Sequence, residues 1–136
     1  MSTETNKRIV RRLVSEAQEQ GNLAVVDEIL ADDFIDHTPL PGLPPTRDGV
    51  RILFGALKSA FPDLRVQISE QIAEDDKVVT RKTFLGTHGG EFMGIPATGR
   101  SIAFEVVDIL TFNDQKKIVE HRVILDNLAL RQQLGA

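Results

Sequence analysis

The stretch Ser101-Ile102-Ala103-Phe104-Glu105-Val106-Val107-Asp108-Ile109-Leu110-Thr111-Phe112 decides the fold, together with the turn Asn113-Asp114-Gln115-Lys116 and the run Lys117-Ile118-Val119-Glu120-His121-Arg122-Val123-Ile124-Leu125-Asp126. Phe104, Val106, Leu110 and Phe112 share one parity, with Asp108 between them, the period of a strand with one face turned to a core. The four residues from Asn113 to Lys116 are turn formers, so the run from Lys117 to Asp126 is predicted to return antiparallel to the first.

Outward from this hairpin the strand period continues toward the N-terminus. Gly86 to Gly99 is broken by Gly89, Gly90, Gly94 and Pro96 and reads as a long hairpin connection. Lys77 to His88 forms a strand before it, Glu74-Asp75-Asp76 a turn, and Leu64, Val66 and Ile68 the alternating face of an earlier strand. Upstream of Pro62 the period becomes helical. Val50, Leu53, Phe54, Leu57 and Phe61 form one stripe of a helix starting near Thr46, and Ile9, Val10, Leu13, Val14 and Ala17 form another between Asn6 and Gln20. Gly21-Asn22 ends that first helix, and a short second one runs from Leu23 to Leu30. Between Ala31 and Pro45 the periodicity dissolves into a loop containing Pro39, Pro41, Pro44 and Pro45, and Leu128 to Leu134 reads as a short tail. Helices first and a meander of four long strands last predict an α+β fold, with the helices packed on one curved sheet.

The 136 residues form one domain on this reading (1–136), long enough for a core and too short for two full-sized domains. No segment approaches the length of an apolar membrane span, and the first residues lack the apolar stretch of a secretory signal, so no membrane partner and a cytoplasmic location are expected. The absence of cysteine excludes disulfides, thiol nucleophiles and thiolate metal sites. A formal charge of -4 with scattered Lys and Arg gives no basic field for a phosphate backbone, so nucleic acid is not an expected partner. The three histidines are far apart in sequence, with no His-x-His pair, and no metal site is expected.

Asp126 is the most informative candidate. It closes an apolar-rich run, and a carboxyl group held there against a pocket would have its pKa raised toward the range useful for proton transfer. The alternative is a strand-terminal aspartate capping the segment that starts at Asn127. On a regular strand Arg122, Ile124 and Asp126 share a face while His121 points away. Arg122 then either holds a ligand oxygen or pairs with Asp126 and weakens it as an acid. Asp108 shares the apolar face of its strand and needs a partner, with Arg81 or Arg122 as candidates, or else stays protonated. His37, just before the proline loop, is placed to assist proton transfer at a pocket mouth or to tie the loop to the frame. His88 carries the same ambiguity. Phe92, Met93 and Ile95 in the glycine-rich connection form an apolar pocket rim or a subunit contact. Phe34, Phe54, Phe92 and Phe104, with His88, Arg122 and Ile124, make up the expected substrate-binding wall.

Several phrases in order along the chain carry a resemblance. These are Asp33-Phe34-Ile35-Asp36-His37, Phe61-Pro62-Asp63-Leu64, the run from Gly86 to Gly99 containing Glu91-Phe92-Met93-Gly94-Ile95-Pro96, and Lys117-Ile118-Val119-Glu120-His121 followed by Asp126. The chain resembles the SnoaL-like polyketide and ester cyclases of the nuclear-transport-factor-2-like superfamily. The resemblance implies a cone-shaped α+β fold, with N-terminal helices packed on a strongly curved, mostly antiparallel sheet around an apolar pocket. It also implies a cofactor-free intramolecular aldol condensation, or a related lyase or isomerase reaction, on an apolar oxygenated small molecule, and a homodimer. The family's catalytic aspartate on the last strand matches Asp126, with Asp108 and His37 as further catalytic candidates. Many relatives carry tryptophan after the Glu-His pair, where this chain has Arg122. The alternative on the same scaffold is a non-catalytic small-molecule-binding or dimerisation module.

Overall fold

The computed structural model describes residues 2–135. Ser2 caps helix α1 (Thr3–Arg12), its hydroxyl accepting from the Thr5 amide, and Glu4 near the start and Arg11 and Arg12 near the end suit the helix dipole. The chain continues without a break into a π-helical segment, Leu13–Glu19, whose wider turn sets Leu13, Val14, Ala17 and Gln18 against the interior. Helix α2 (Ala24–Ile29) follows the turn at Gly21, and α3 (Arg47–Ala60) ends before Pro62 as its apolar stripe predicts.

Five strands form one sheet: β1 (Leu30–Asp36), β2 (Arg65–Glu74), β3 (Lys77–Thr87), β4 (Ser101–Phe112) and β5 (Ile118–Leu125), in the order β1-β5-β4-β3-β2. β2 to β5 are the expected antiparallel meander. Apart from Leu30, the expected end of the second helix, β1 lies inside the segment read as irregular. It pairs parallel to β5 at the sheet edge, with a register shift between Leu30 and Ile35. Asp32 and Asp33 sit exposed at that irregularity, which is how an edge strand tolerates them and why its period is hidden in the sequence.

The α+β class holds, but the strongly curved cone does not form. The sheet is open: β1 pairs only with β5, and β2 only with β3. Strong bending requires bulges or glycine kinks in the central strands. The central β3–β4 ladder runs in unbroken register from Lys77↔Thr111 to Thr87↔Ser101, and the register shifts of the meander fall in the flanking ladders, between Ile68 and Glu70 and between Thr111 and Phe112. The segment expected as a tail after β5 is instead helix α4 (Asn127–Gln133).

The helices lie on one face of the sheet, with α1 and the π-helical segment against β2 and α3 against β1. Between the layers sits a core that includes Val10, Val14, Val26, Phe34, Phe54, Phe84, Phe104, Leu110 and Ile118. Among the described residues, no helix is long and apolar enough to cross a membrane.

Candidate functional site

A cavity of about 140 Å³ lies between the helical layer and the covered face of the sheet. Its walls are mostly apolar and include Phe34, Phe54, Phe84, Phe104, Leu57 and Leu110. Asp36, Lys82, Asp108 and His121 supply its charge, each from a different strand. Strand alternation puts them there. Lys82 follows Val78 and Thr80 on the buried parity of β3, Asp108 lies between Val106 and Leu110 on β4, and His121 precedes Val123 and Leu125 on β5.

These four side chains form one connected network. His121 Nδ1 lies 3.0 Å from Asp36 Oδ1, and His121 Nε2 lies 2.8 Å from Asp108 Oδ1. Lys82 Nζ sits 2.5 Å from Asp108 Oδ2 and donates to Gln18 Oε1 at 2.9 Å. Asp36 Oδ1 also accepts from the Thr38 amide at 3.0 Å, and the Thr38 hydroxyl accepts from the Val123 amide, tying the start of the proline loop to β5. Because both imidazole nitrogens face carboxylate oxygens, both must carry a proton, so His121 is an imidazolium. Two cations then balance two carboxylates, which is how these charges are accommodated away from water.

Their ionisation follows. Burial opposes the imidazolium of His121, but hydrogen bonds to Asp108 and Asp36 outweigh it and raise its pKa to about 9. Burial likewise opposes the charge on Asp108, yet the Lys82 ammonium and the His121 hydrogen bond hold its pKa down to about 2. Asp36 is held below the ordinary carboxylate range, its burial offset by His121 and by the Thr38 hydrogen bonds.

The candidates from sequence divide between this cavity and the rest of the molecule. Asp108, Phe34, Phe54, Phe92 and Phe104 line it. Asp126 does not: it is exposed and caps α4, its carboxylate accepting from the Ala129 amide at 2.9 Å. The face expected for β5 is the opposite of the one observed. His121 turns inward, while Arg122 and Ile124 lie on the uncovered face, with Ile124 65% exposed. Apolar residues occur on both parities of this strand, so the pairing of Asp108 with Val123 and of Leu110 with His121 decides the orientation. Asp108 takes Lys82 and His121 as partners rather than Arg81 or Arg122, since Arg81 is engaged with Glu70 and Glu105 outside. His37 is exposed, with Nε2 3.3 Å from Glu120. His88 is fully buried outside the cavity, packed on Phe61, with Nδ1 2.9 Å from Thr98 Oγ1 across the Gly86 to Gly99 connection.

Sequence reasoning missed Lys82, Asp36 and the role of His121. Lys82 carried a signal, a lone cation on the alternating Val78, Thr80, Phe84 face. Asp36 was masked by the other aspartates of β1. Among the described residues, no cluster of three or more His, Asp or Glu side chains is arranged to hold a metal ion.

The SnoaL-like polyketide cyclase family profile matches residues 8–134. TsrD from Streptomyces laurentii superposes with a TM-score of 0.90 at 26% identity, over 100% of this chain and 98% of that one. AclR from Streptomyces galilaeus, a candidate hydroxylase, gives 0.85 at 28% identity over 98% and 83%. IdmH from Streptomyces antibioticus, a candidate polyketide cyclase, gives 0.80 at 31% identity over 96% and 99%. No curated protein matches significantly.

Proposed function

Since the chain belongs to the SnoaL-like polyketide cyclase family, we propose that it is a cofactor-free cyclase or isomerase acting on a small apolar molecule with a carbonyl group, in which Asp108 moves the proton and Lys82 receives the developing oxyanion. The observation that carries this reading is the Lys82 ammonium at the charged end of an apolar cavity. It has three N–H donors, of which Asp108 and Gln18 take two, leaving one for a substrate oxygen.

Aldol closure and double-bond isomerisation both start by removing a proton from carbon next to a carbonyl. In the empty pocket Asp108 is a weak base, because Lys82 and His121 stabilise its charge. As the proton moves to Asp108, negative charge leaves that carboxylate and appears on the substrate oxygen. Lys82 faces both positions, so the cation stays compensated throughout and the apolar walls keep water from screening it. His121, held by Asp36 from behind, fixes the orientation of Asp108. A cavity of about 140 Å³ matches a single aromatic ring, since an engineered cavity of roughly 150 Å³ takes up benzene.

Acetophenone is a suitable one-ring ketone, and exchange of its methyl hydrogens in heavy water is read directly by NMR. The protein should accelerate exchange over buffer. Asp108→Asn should lower that acceleration by roughly 10²-fold or more, and Lys82→Met by a similar factor. Wild-type protein that binds the ketone but exchanges it no faster than Asp108→Asn would favour the second reading, a non-catalytic binding domain. That reading draws on the engagement of both Asp108 oxygens, one by His121 and the other by Lys82.

The uncovered face of the sheet supports a homodimer. Ile72 and Ile124 are exposed there, beside the half-buried Val79, Val107 and Ile109 in adjacent register rows.

A further inference from the structure

We propose that the groove outside the cavity mouth is the second half of the binding site, and that Arg131 there recognises a carboxylate at the far end of a ligand whose ring occupies the inner cavity. This rests on the inner cavity being the binding site, as proposed above.

The groove has a volume of about 470 Å³ and shares Leu40, Leu53, Phe92 and Met93 with the cavity. These four side chains line both spaces, so the two adjoin across them, and a ligand longer than one ring would have to reach past them from one into the other. Two of them come from a tight turn, in which the Phe92 amide donates to Ile95 O at 3.0 Å and the Ile95 amide donates back at 2.9 Å. Met93 and Gly94 at its tip have φ of 54° and 78°, a conformation glycine adopts freely and methionine rarely. That turn holds Met93 between the two spaces.

Charge sets the direction in which a ligand lies. Inside, Lys82 and His121 are already matched by Asp108 and Asp36, so a carboxylate placed there would meet two others and add an unbalanced buried charge. Outside, Arg131 on α4 is half-buried in the groove wall and forms no ion pair or side-chain hydrogen bond among the described residues. Its planar fork of donors suits a carboxylate. Glu91, the groove's other charged side chain, is exposed and repels the same group, which leaves Arg131 as the point of attachment. An amphipathic molecule therefore binds ring first, with its anionic end in the groove.

The test uses phenol, a series of phenylalkanoates and the matching phenylalkanols, titrated calorimetrically into the whole 136-residue chain. The chain has no tryptophan or tyrosine, so near-ultraviolet signals from the bound ring provide a second readout. At the best chain length the carboxylate should bind about tenfold or more tighter than the alcohol, as a charge-assisted bond requires. Arg131→Gln should bring that ratio close to one, and Arg131→Lys should keep part of it. An unchanged ratio in Arg131→Gln, or no preference in the wild type, overturns the proposal. Phenol reports on the inner cavity alone. Phenol binding without an Arg131-dependent preference sinks the groove and leaves the inner site standing. An Arg131-dependent preference without phenol binding removes the ring from the inner cavity, which overturns the two-part site and leaves Arg131 as an anion contact of the groove alone.

Discussion

His121 reaches Asp108 along a diagonal of the β4–β5 ladder: Asp108 lies directly opposite Val123 and His121 opposite Leu110, yet the imidazole and carboxylate meet at 2.8 Å. Lys82 reaches Asp108 in the same way from the other side, since Thr80 is the residue in register with Asp108. Diagonal neighbours stand about 7–8 Å apart, a span long side chains can cross. Asp36, by contrast, is the direct register partner of His121. The network is therefore a product of strand register, and a one-residue slip of β5 would turn His121 to the uncovered face.

Stability should fall on the alkaline side. The folded pKa of His121 is raised to about 9 from 6.5, so its contribution is fully present below pH 6.5 and is lost as the pH rises through about 9. Asp108 is lowered to about 2 from 3.8, so its contribution is present above pH 3.8 and is lost as the pH falls through about 2. The two shifts describe one shared interaction and are not summed. The alkaline loss is on the order of 3 kcal/mol, or roughly 10 °C in melting temperature. Melting curves from pH 6 to 10 should show this fall in the wild type and a flatter profile in His121→Asn. Parallel profiles for the two proteins would refute the imidazolium assignment.

Lys82→Met should destabilise the fold by about 3 kcal/mol at neutral pH, because it leaves two buried carboxylates with one cation. Adding Asp108→Leu to it should recover much of that loss, since the remaining His121–Asp36 pair is balanced again. Urea unfolding of both variants provides the measurement. A Lys82→Met cost below about 1 kcal/mol, the range of exposed pairs, would mean the pair is hydrated in solution.

What the sequence revealed depended on whether a local period could settle the question. Helices α1 to α3 and strands β2, β3 and β4 follow from spacing alone, whereas α4 does not, and strict alternation places Asp108 on the buried face. β5 could not be oriented in this way. Val119, Val123 and Leu125 on one parity compete with Ile118 and Ile124 on the other, and pairing with β4 chooses between them. β1 was hidden for a related reason, its aspartates being allowed by an edge and an irregular register. The charged network joins four strands through contacts that exist only once the sheet is assembled.

Asp126→Ala should cost about 1 kcal/mol through loss of the α4 cap, lowering the melting temperature by roughly 3–5 °C. Acetophenone exchange should be retained, because the carboxylate lies outside the cavity. Loss of exchange in a folded Asp126→Ala protein would return the proton-transfer role to Asp126 and remove it from Asp108.

The dimer is best tested at Ile124. On the uncovered face Ile124 stands in the row Glu70–Arg81–Val107–Ile124, beside the row Ile72–Val79–Ile109–Arg122. Arg81 is already bound by Glu70 and Glu105, so its own charge stays compensated when a second copy covers the apolar side chains around it. A twofold axis through this face would set each Ile124 against apolar surface of the partner, where an aspartate would lose that contact and be desolvated. Light scattering at micromolar concentration should give twice the chain mass for the wild type and the single-chain mass for Ile124→Asp, with the melting curve of the variant still cooperative. A wild type that is monomeric, or an Ile124→Asp protein that remains dimeric, would place the contact elsewhere or exclude it.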